Sequence, residues 1–193
     1  VPVVLQGMMK YYKAKDKIDH HPSNHGFFEL SYASNGEVSL EVEGKEILLH
    51  EGDSVVIFPS TDHNYTDINK DAELIVIYFE FKEKQEAQKD ETEWFSIFSL
   101  ENFEEILNGN HNGYERTQSY FIVDGHSRKA ISLLVEEILI ESEDQGYGHN
   151  ILMNLYANEL ALHTYRILRR VYDESMVLRA GASRELVEIG KKY

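Results

Sequence analysis

The pattern of hydrophobic and polar positions divides the chain into a β-rich part and a helical part. Between residues 9 and 81, short stretches rich in β-branched and aromatic residues alternate with turn signals. A spacing of about 8 to 12 residues between such signals is typical of a β-sandwich or β-barrel. From residue 124 onward the apolar positions follow a helical period instead. The sequence therefore predicts a mainly β fold with a C-terminal α-helical part.

Turn residues place the predicted strands. Asn35-Gly36 and Glu43-Gly44 are predicted hairpin turns, because tight turns require positive φ and hence Gly or Asn. Lys82 to Glu93 is charged and predicted to be a solvated loop, and Trp94 to Leu107 is predicted to be a helical insertion. The predicted strands are Phe27 to Tyr32, Val38 to Val42, Ile47 to Leu49, Ser54 to Phe58, Leu74 to Phe81 and Thr117 to Val123.

Two helices are predicted after the last strand. The first has one apolar stripe, formed by Ile131, Leu134, Val135, Ile138 and Leu139. The second, from about Ile151 to Tyr172 with Asn150 as N-cap, is apolar on more than one face and so must be covered on more than one side. We expect the barrel to cover one side of the second helix and a second protomer to cover another. Leu134, Leu152 and Leu155 are the candidate residues that face the partner. Gly181 to Ser183 is predicted to end this helix before a further one begins.

Composition excludes several classes of protein. A length of 193 residues suits one packed domain with an appendage. The absence of cysteine excludes a disulfide framework and a thiolate metal site. No apolar run approaches the roughly 20 residues of a membrane span, which predicts no membrane insertion. The absence of cysteine makes the cytoplasm the simplest expected compartment. A net charge of -15 argues against nucleic-acid binding by the chain as a whole, although residues 164–193 carry seven basic against four acidic side chains.

Two spaced motifs occur in the β-rich part. They read His25-x3-Glu29-x6-Gly36 and Gly52-Asp53-x9-His63, and they resemble the two signature motifs of the cupin superfamily. The resemblance implies a small jelly-roll β-barrel in which residues distant in sequence converge. Ser23 stands where the usual first motif has a further histidine. This departure favours a barrel that binds something other than a metal.

The order of a barrel, a strand, two helices and a short basic segment resembles the N-terminal sensor half of AraC-family transcription regulators. The resemblance implies a cupin-like effector-binding barrel over residues 1–123, a helical dimerisation segment over 124–175 and a linker over 176–193 toward a DNA-binding domain absent from this chain. It also implies a homodimer through the helices, a small effector with sugars as the favoured class, and neither catalysis nor a cofactor. The stretches that carry it are residues 27–32, 36–38, 52–59, 63–65 and 78–81.

Candidate ligand contacts follow from strand geometry. Glu29 and His25 differ by four, so one extended strand would project both to the same face, where the carboxylate could accept hydroxyl groups or a cation. His63 and Tyr65 share a face in the same way, and aromatic faces stack on sugars. Tyr78 is a weaker candidate. Glu29 could instead cap a turn or pair with a lysine, and the others could be a rim histidine and packing tyrosines.

The rival hypothesis is a stand-alone metal-dependent cupin enzyme, an isomerase or a dioxygenase. Two histidines and a carboxylate, here His25, Glu29 and His63, can form a facial triad for iron(II). His20 and His21 could replace the missing histidine, although adjacent histidines before a proline usually lie in exposed loops. A barrel that only mediates assembly is a third hypothesis. Surface or helix-packing roles are predicted for His111, His126, His149 and His163.

Overall fold

The computed structural model describes residues 3–4, 9–13, 22–68, 71–81, 119–144 and 146–190. The predicted loop over 82–93 and helix over 94–107 lie outside them. The described strands are β1 (Val3–Val4), β2 (Met9–Lys13), β3 (Phe28–Asn35), β4 (Glu37–Val42), β5 (Lys45–His50), β6 (Ser54–Ile57), β7 (His63–Ile68), β8 (Glu73–Phe81) and β9 (Tyr120–Ile122). The described helices are α1 (Gly125–Asp144) and α2 (His149–Gly190).

The described strands form two antiparallel sheets. The larger has the order β1-β8-β3-β6-β9, with β2 following β1 along the same edge of β8. The smaller has the order β5-β4-β7. Both predicted hairpins are present, and Gly36 and Gly44 have φ of 72° and 75°. The six predicted strands are confirmed, with bounds shifted by up to three residues.

The large sheet is buried on both faces. On β3, Phe28, Leu30 and Tyr32 pack in one core with the helices. The alternate residue Ala33 packs in a second core between the two sheets, and strand alternation places Glu29 and Ser31 on that same side. β8 alternates likewise, which is why residues 74–79 form a continuous apolar run rather than a polar-apolar alternation.

The two helices are antiparallel and cover the outer face of the large sheet. His149 contacts Glu141 and Tyr156 contacts Glu137, so the two helices run in opposite directions. Their buried residues in the shared core are Ile131, Leu134, Val135, Ile138, Leu160, Ile167 and Leu168. Neither described helix combines the length and the hydropathy that a membrane span requires.

Two sequence predictions about the helices are wrong. Leu134 does not face a partner: it is only 4% exposed, because it shares the sheet-facing stripe of Ile131 and Ile138. The predicted break at Gly181 is absent, since α2 continues to Gly190. One glycine inside a helix costs only about 1 kcal/mol, and its neighbours include good helix formers.

Candidate functional site

The candidate site lies between the two sheets and centres on Glu29. Glu29 projects from β3 and is fully buried, with an exposure of 0%. His63 and Tyr65 come from β7 of the small sheet and reach Glu29 from the opposite side. Tyr78 on β8 is the cross-strand neighbour of Glu29. Strand pairing within the large sheet and packing against the small sheet therefore bring together residues that are up to 49 positions apart in sequence.

The two carboxylate oxygens of Glu29 have different partners among the described residues. Glu29 Oε2 lies 3.1 Å from His25 Nε2 and 3.0 Å from His63 Nε2. Glu29 Oε1 accepts hydrogen bonds from the Tyr65 hydroxyl at 2.6 Å and from Ser31 Oγ at 2.9 Å. The two hydroxyl oxygens are themselves 2.7 Å apart. One oxygen of the carboxylate thus faces imidazoles and the other faces hydroxyls.

Backbone carbonyls fix the tautomer of both histidines. His25 Nδ1 is 2.9 Å from the carbonyl of Phe27, and His63 Nδ1 is 2.9 Å from the carbonyl of Thr61. A carbonyl oxygen only accepts hydrogen bonds, so each Nδ1 carries the proton. In a neutral ring the lone pair is therefore on Nε2, the atom that faces Glu29. Such a ring must gain a second proton or share a cation with the carboxylate.

Charge and burial shift the pKa values of Glu29, His63 and Tyr65. Burial alone would raise the pKa of Glu29, but hydrogen bonds from His25 and His63 and the charge of His63 hold it far below its ordinary value. Burial would lower the pKa of His63, yet the hydrogen bond and negative charge of Glu29 raise it. Burial and the charge of Glu29 raise the pKa of Tyr65 well above its ordinary value. The carboxylate is ionised and the phenol remains a donor.

His25 reaches the site by a route that strand geometry did not predict. The expected common strand with Glu29 is wrong, because residues 26 and 27 form a bend and β3 begins only at Phe28. The His25 ring instead stacks on Phe27, with centroids 4.1 Å apart and an interplanar angle of 9°. Tyr78 packs edge-on against both rings at 5.2 and 5.0 Å. These three aromatic side chains line the lumen beside Glu29.

Two contacts were not predicted from the sequence. Ser31 contacts Glu29 directly, and its position two residues along the same strand was the available signal. Ser23 pairs through its backbone with His63, at 2.7 and 3.1 Å, and so anchors the strand that carries that ring. The alternative that Glu29 caps a turn or pairs with a lysine is wrong, since its partners are imidazoles and hydroxyls.

Two further described histidines lie on α2 rather than in the site. His149 contacts Glu141 between the helices, and His163 lies 3.7 Å from Glu159 on α2, in agreement with the predicted surface and helix-packing roles. His20, His21 and His111 lie outside the described residues, as does the side chain of His126.

The donor atoms of the site fit a transition metal. Among the described residues, His25, Glu29 and His63 offer ligand atoms that all lie within 4.8 Å of one another. The two N···O separations, 3.1 Å from His25 and 3.0 Å from His63 to Glu29, are close to the spacing of about 3.0–3.4 Å between ligand atoms that each lie about 2.1 Å from a shared ion. Two imidazoles and a carboxylate suit first-row metals, and metal-bound histidines commonly donate their other nitrogen to a carbonyl. These three residues could therefore hold such an ion.

Comparison with known families identifies the barrel. The family model described as "Cupin domain" matches residues 7–78, a range that contains all five predicted site residues. The barrel has a cupin-like fold. The fold is therefore a cupin jelly roll followed by an antiparallel pair of helices, as predicted. No curated protein matches the sequence.

Solved structures resemble the chain at low identity. ToxT from Vibrio cholerae with an unsaturated fatty acid bound has 10% identity and a TM-score of 0.49, with 86% of this chain and 55% of ToxT covered. EutQ from Clostridium difficile has 12% identity and a TM-score of 0.30, covering 37% and 48%. HEPD from Streptomyces albus with 2-hydroxyethylphosphonate and Fe(II) bound has 19% identity and a TM-score of 0.27, covering 42% and 17%. This chain thus spans about half or less of each of these proteins, and such similarities carry no argument about its function.

Replacing Glu29 tests whether its charge holds the site together. In metal-free protein at pH 7, Glu29→Gln is expected to lower the free energy of unfolding by about 2–4 kcal/mol, because the two imidazoles lose a buried charged acceptor. Glu41→Gln on the exposed face of β4 is the matched control and should change it by less than about 0.5 kcal/mol. Urea denaturation measures both. Equal small changes would show that the buried charge contributes little.

Proposed function

We propose that this chain is the effector-sensing and dimerisation portion of a cytoplasmic transcription regulator of the AraC type, without catalytic activity. The observation that carries the proposal is the two-sided role of β3. Glu29 faces the lumen on this strand, whereas Tyr32 packs toward the helices. A ligand that shifts Glu29 would therefore act on the same strand that supports the helical pair. DNA would be bound only by a domain outside this chain.

The chemistry of the lumen supports a small polar effector. Glu29 supplies a buried negative charge, Tyr65 and the two histidines supply polar atoms, and the ring of Tyr78 supplies an aromatic surface. Small-molecule sites typically combine apolar walls with a few placed polar groups. A hydroxylated ligand can exchange hydrogen bonds with such groups and stack on the ring. Sugars are the favoured class.

Polar contacts join the barrel to α1 and give a route for the signal. The Tyr32 hydroxyl is 2.8 Å from Ser132 Oγ. Arg128 donates to the carbonyls of Glu51 and Gly52, both at 3.0 Å, at the turn before β6. A displacement of β3 or of this turn would move α1. Control in this way requires an effector that binds one arrangement of the helices more tightly than another.

The helical pair and the turn that joins its helices carry exposed apolar side chains that a second copy would cover. These are Leu133, Ile140, Tyr147, Ile151, Leu152 and Leu155, each at least 37% exposed. Several lie on consecutive turns of α2, and exposed apolar patches commonly mark interfaces. Leu152 and Leu155 remain candidate partner-facing residues, and Leu133 takes the place of Leu134 on α1.

A charge in this surface should dissociate the dimer. Leu155→Glu is expected to weaken dimerisation at least about 10-fold, because each copy loses apolar burial and buries a charge. Asn154→Glu adds the same charge at an exposed neighbouring position and should leave the dimer intact. Sedimentation velocity at micromolar concentration measures both. A monomeric wild-type protein would contradict this part of the proposal.

A metal-dependent cupin enzyme is the second candidate function. The observation that favours it is that His25 and His63 both donate Nδ1 to carbonyls and point Nε2 at Glu29 Oε2. These three residues would hold the ion, which would supply Lewis-acid or redox chemistry when bound. The protein would orient the ion, and the surrounding aromatic side chains would shape access to it.

Metal content separates the two candidates. Elemental analysis of protein purified without chelators should show about one equivalent of iron, manganese, nickel or zinc if the enzyme candidate is right. That metal should be lost in Glu29→Ala, which removes the oxygen donor, and retained in Glu41→Ala. A content far below one equivalent in the wild type would contradict the enzyme candidate.

A further inference from the structure

The carboxylate of Glu29 is held at both ends. Among the described residues, two ring nitrogens face Oε2 and two hydroxyls face Oε1. The two hydroxyl hydrogen bonds occupy the lone-pair positions of Oε1, whereas a neutral imidazole presents a lone pair and not a proton to Oε2. Rotation of the carboxylate would break the buried Ser31 contact and the part-buried Tyr65 contact at once. The orientation of Glu29 is therefore fixed from the side opposite the histidines.

The hydroxyl pair comes from two different sheets. Ser31 follows Glu29 on β3 and is fully buried, whereas Tyr65 projects from β7. Their oxygens are 2.7 Å apart, and together with Glu29 Oε1 they form a triangle of close oxygen atoms. A buried hydroxyl that loses its hydrogen-bond partner destabilises the protein, so this arrangement resists change.

We propose that Ser31 and Tyr65 are positioning residues that reserve one oxygen of Glu29 for a metal ion. This inference rests on the metal-binding candidate of the preceding subsection. With Oε1 occupied, Glu29 can offer the ion only Oε2, beside the Nε2 atoms of the two histidines.

The number of donors determines which ions suit the centre. One carboxylate oxygen with two imidazoles favours a first-row transition metal. A carboxylate that binds through both oxygens is typical of Ca²⁺ sites, which take six to eight oxygen ligands. The hydroxyl pair thus determines the donor set as well as the orientation of Glu29.

Cobalt(II) is the probe for this inference, because its visible absorption reports coordination number. Metal-free wild type, Tyr65→Phe and Ser31→Ala are each titrated with Co(II). The wild type should bind about one equivalent. Both variants should bind about 10–100-fold more weakly, as expected when a group that orients a ligand is lost. Their absorption bands should also weaken, because the released second oxygen can join the coordination sphere.

Two variants separate positioning from a general loss of stability. Ser31→Thr keeps the hydroxyl and should retain the wild-type affinity and spectrum. Tyr32→Phe removes a tyrosine hydroxyl from the opposite face of the same strand, where it contacts Ser132 rather than Glu29. It should also bind Co(II) like the wild type. Thermal unfolding of each apoprotein confirms that the compared variants are folded.

The outcomes distinguish failure of the inference from failure of the metal centre. If Tyr65→Phe and Ser31→Ala match the wild type in affinity and spectrum, the positioning role is overturned and the metal centre stands. If the folded wild type binds no Co(II), or if binding persists in Glu29→Ala, the metal centre is overturned and the inference with it. Weakened binding with a changed spectrum, restored in Ser31→Thr, supports the inference.

Discussion

A carboxylate that is fully removed from water requires compensation, and the organisation of this barrel around Glu29 meets that requirement. Isolated ionised groups are costly to bury, so such groups in proteins are paired and hydrogen-bonded. His63 and Tyr65 supply partners from the small sheet, and Ser31 and His25 supply them from the segments around β3. The same contacts join the two sheets at the centre of the lumen. Stability and site geometry thus depend on one group.

Because Glu29 lies on β3, its charge is carried by a strand that packs against the helices. β3 lies inside the large sheet between β6 and β8 and is buried on both faces. On one face of β3, Glu29 and Ser31 belong to the candidate site in the lumen. On the other face, residues such as Leu30 and Tyr32 pack against the helical pair. A packed strand transmits displacement because neither face has free space to absorb it. This arrangement is the physical basis for proposing a sensor, and it would equally give a rigid frame to a metal centre.

Much of this fold follows from local rules, and the deviations have identifiable causes. The apolar run from Leu74 to Phe81 predicts a strand because a strand buried on both faces lacks alternation. The two-residue period that places Glu29 in the lumen also places Ser31 there, yet a serine gives little signal until its partner is known. His25 joins the site through a bend and an aromatic stack, which are tertiary features. Gly181 stays helical because one unfavourable residue does not interrupt a long helix.

The most direct test of this account is ¹⁵N NMR of the His25 and His63 rings in metal-free protein. Both rings should carry a proton on Nδ1 at every pH, because each faces a carbonyl oxygen. His63 should gain its Nε2 proton at a pH above the ordinary value of about 6.5, because Glu29 raises the pKa of that ring. The shift should disappear in Glu29→Gln. A neutral tautomer protonated on Nε2, or a His63 pKa below the ordinary value, would contradict the claim that a charged Glu29 organises the site.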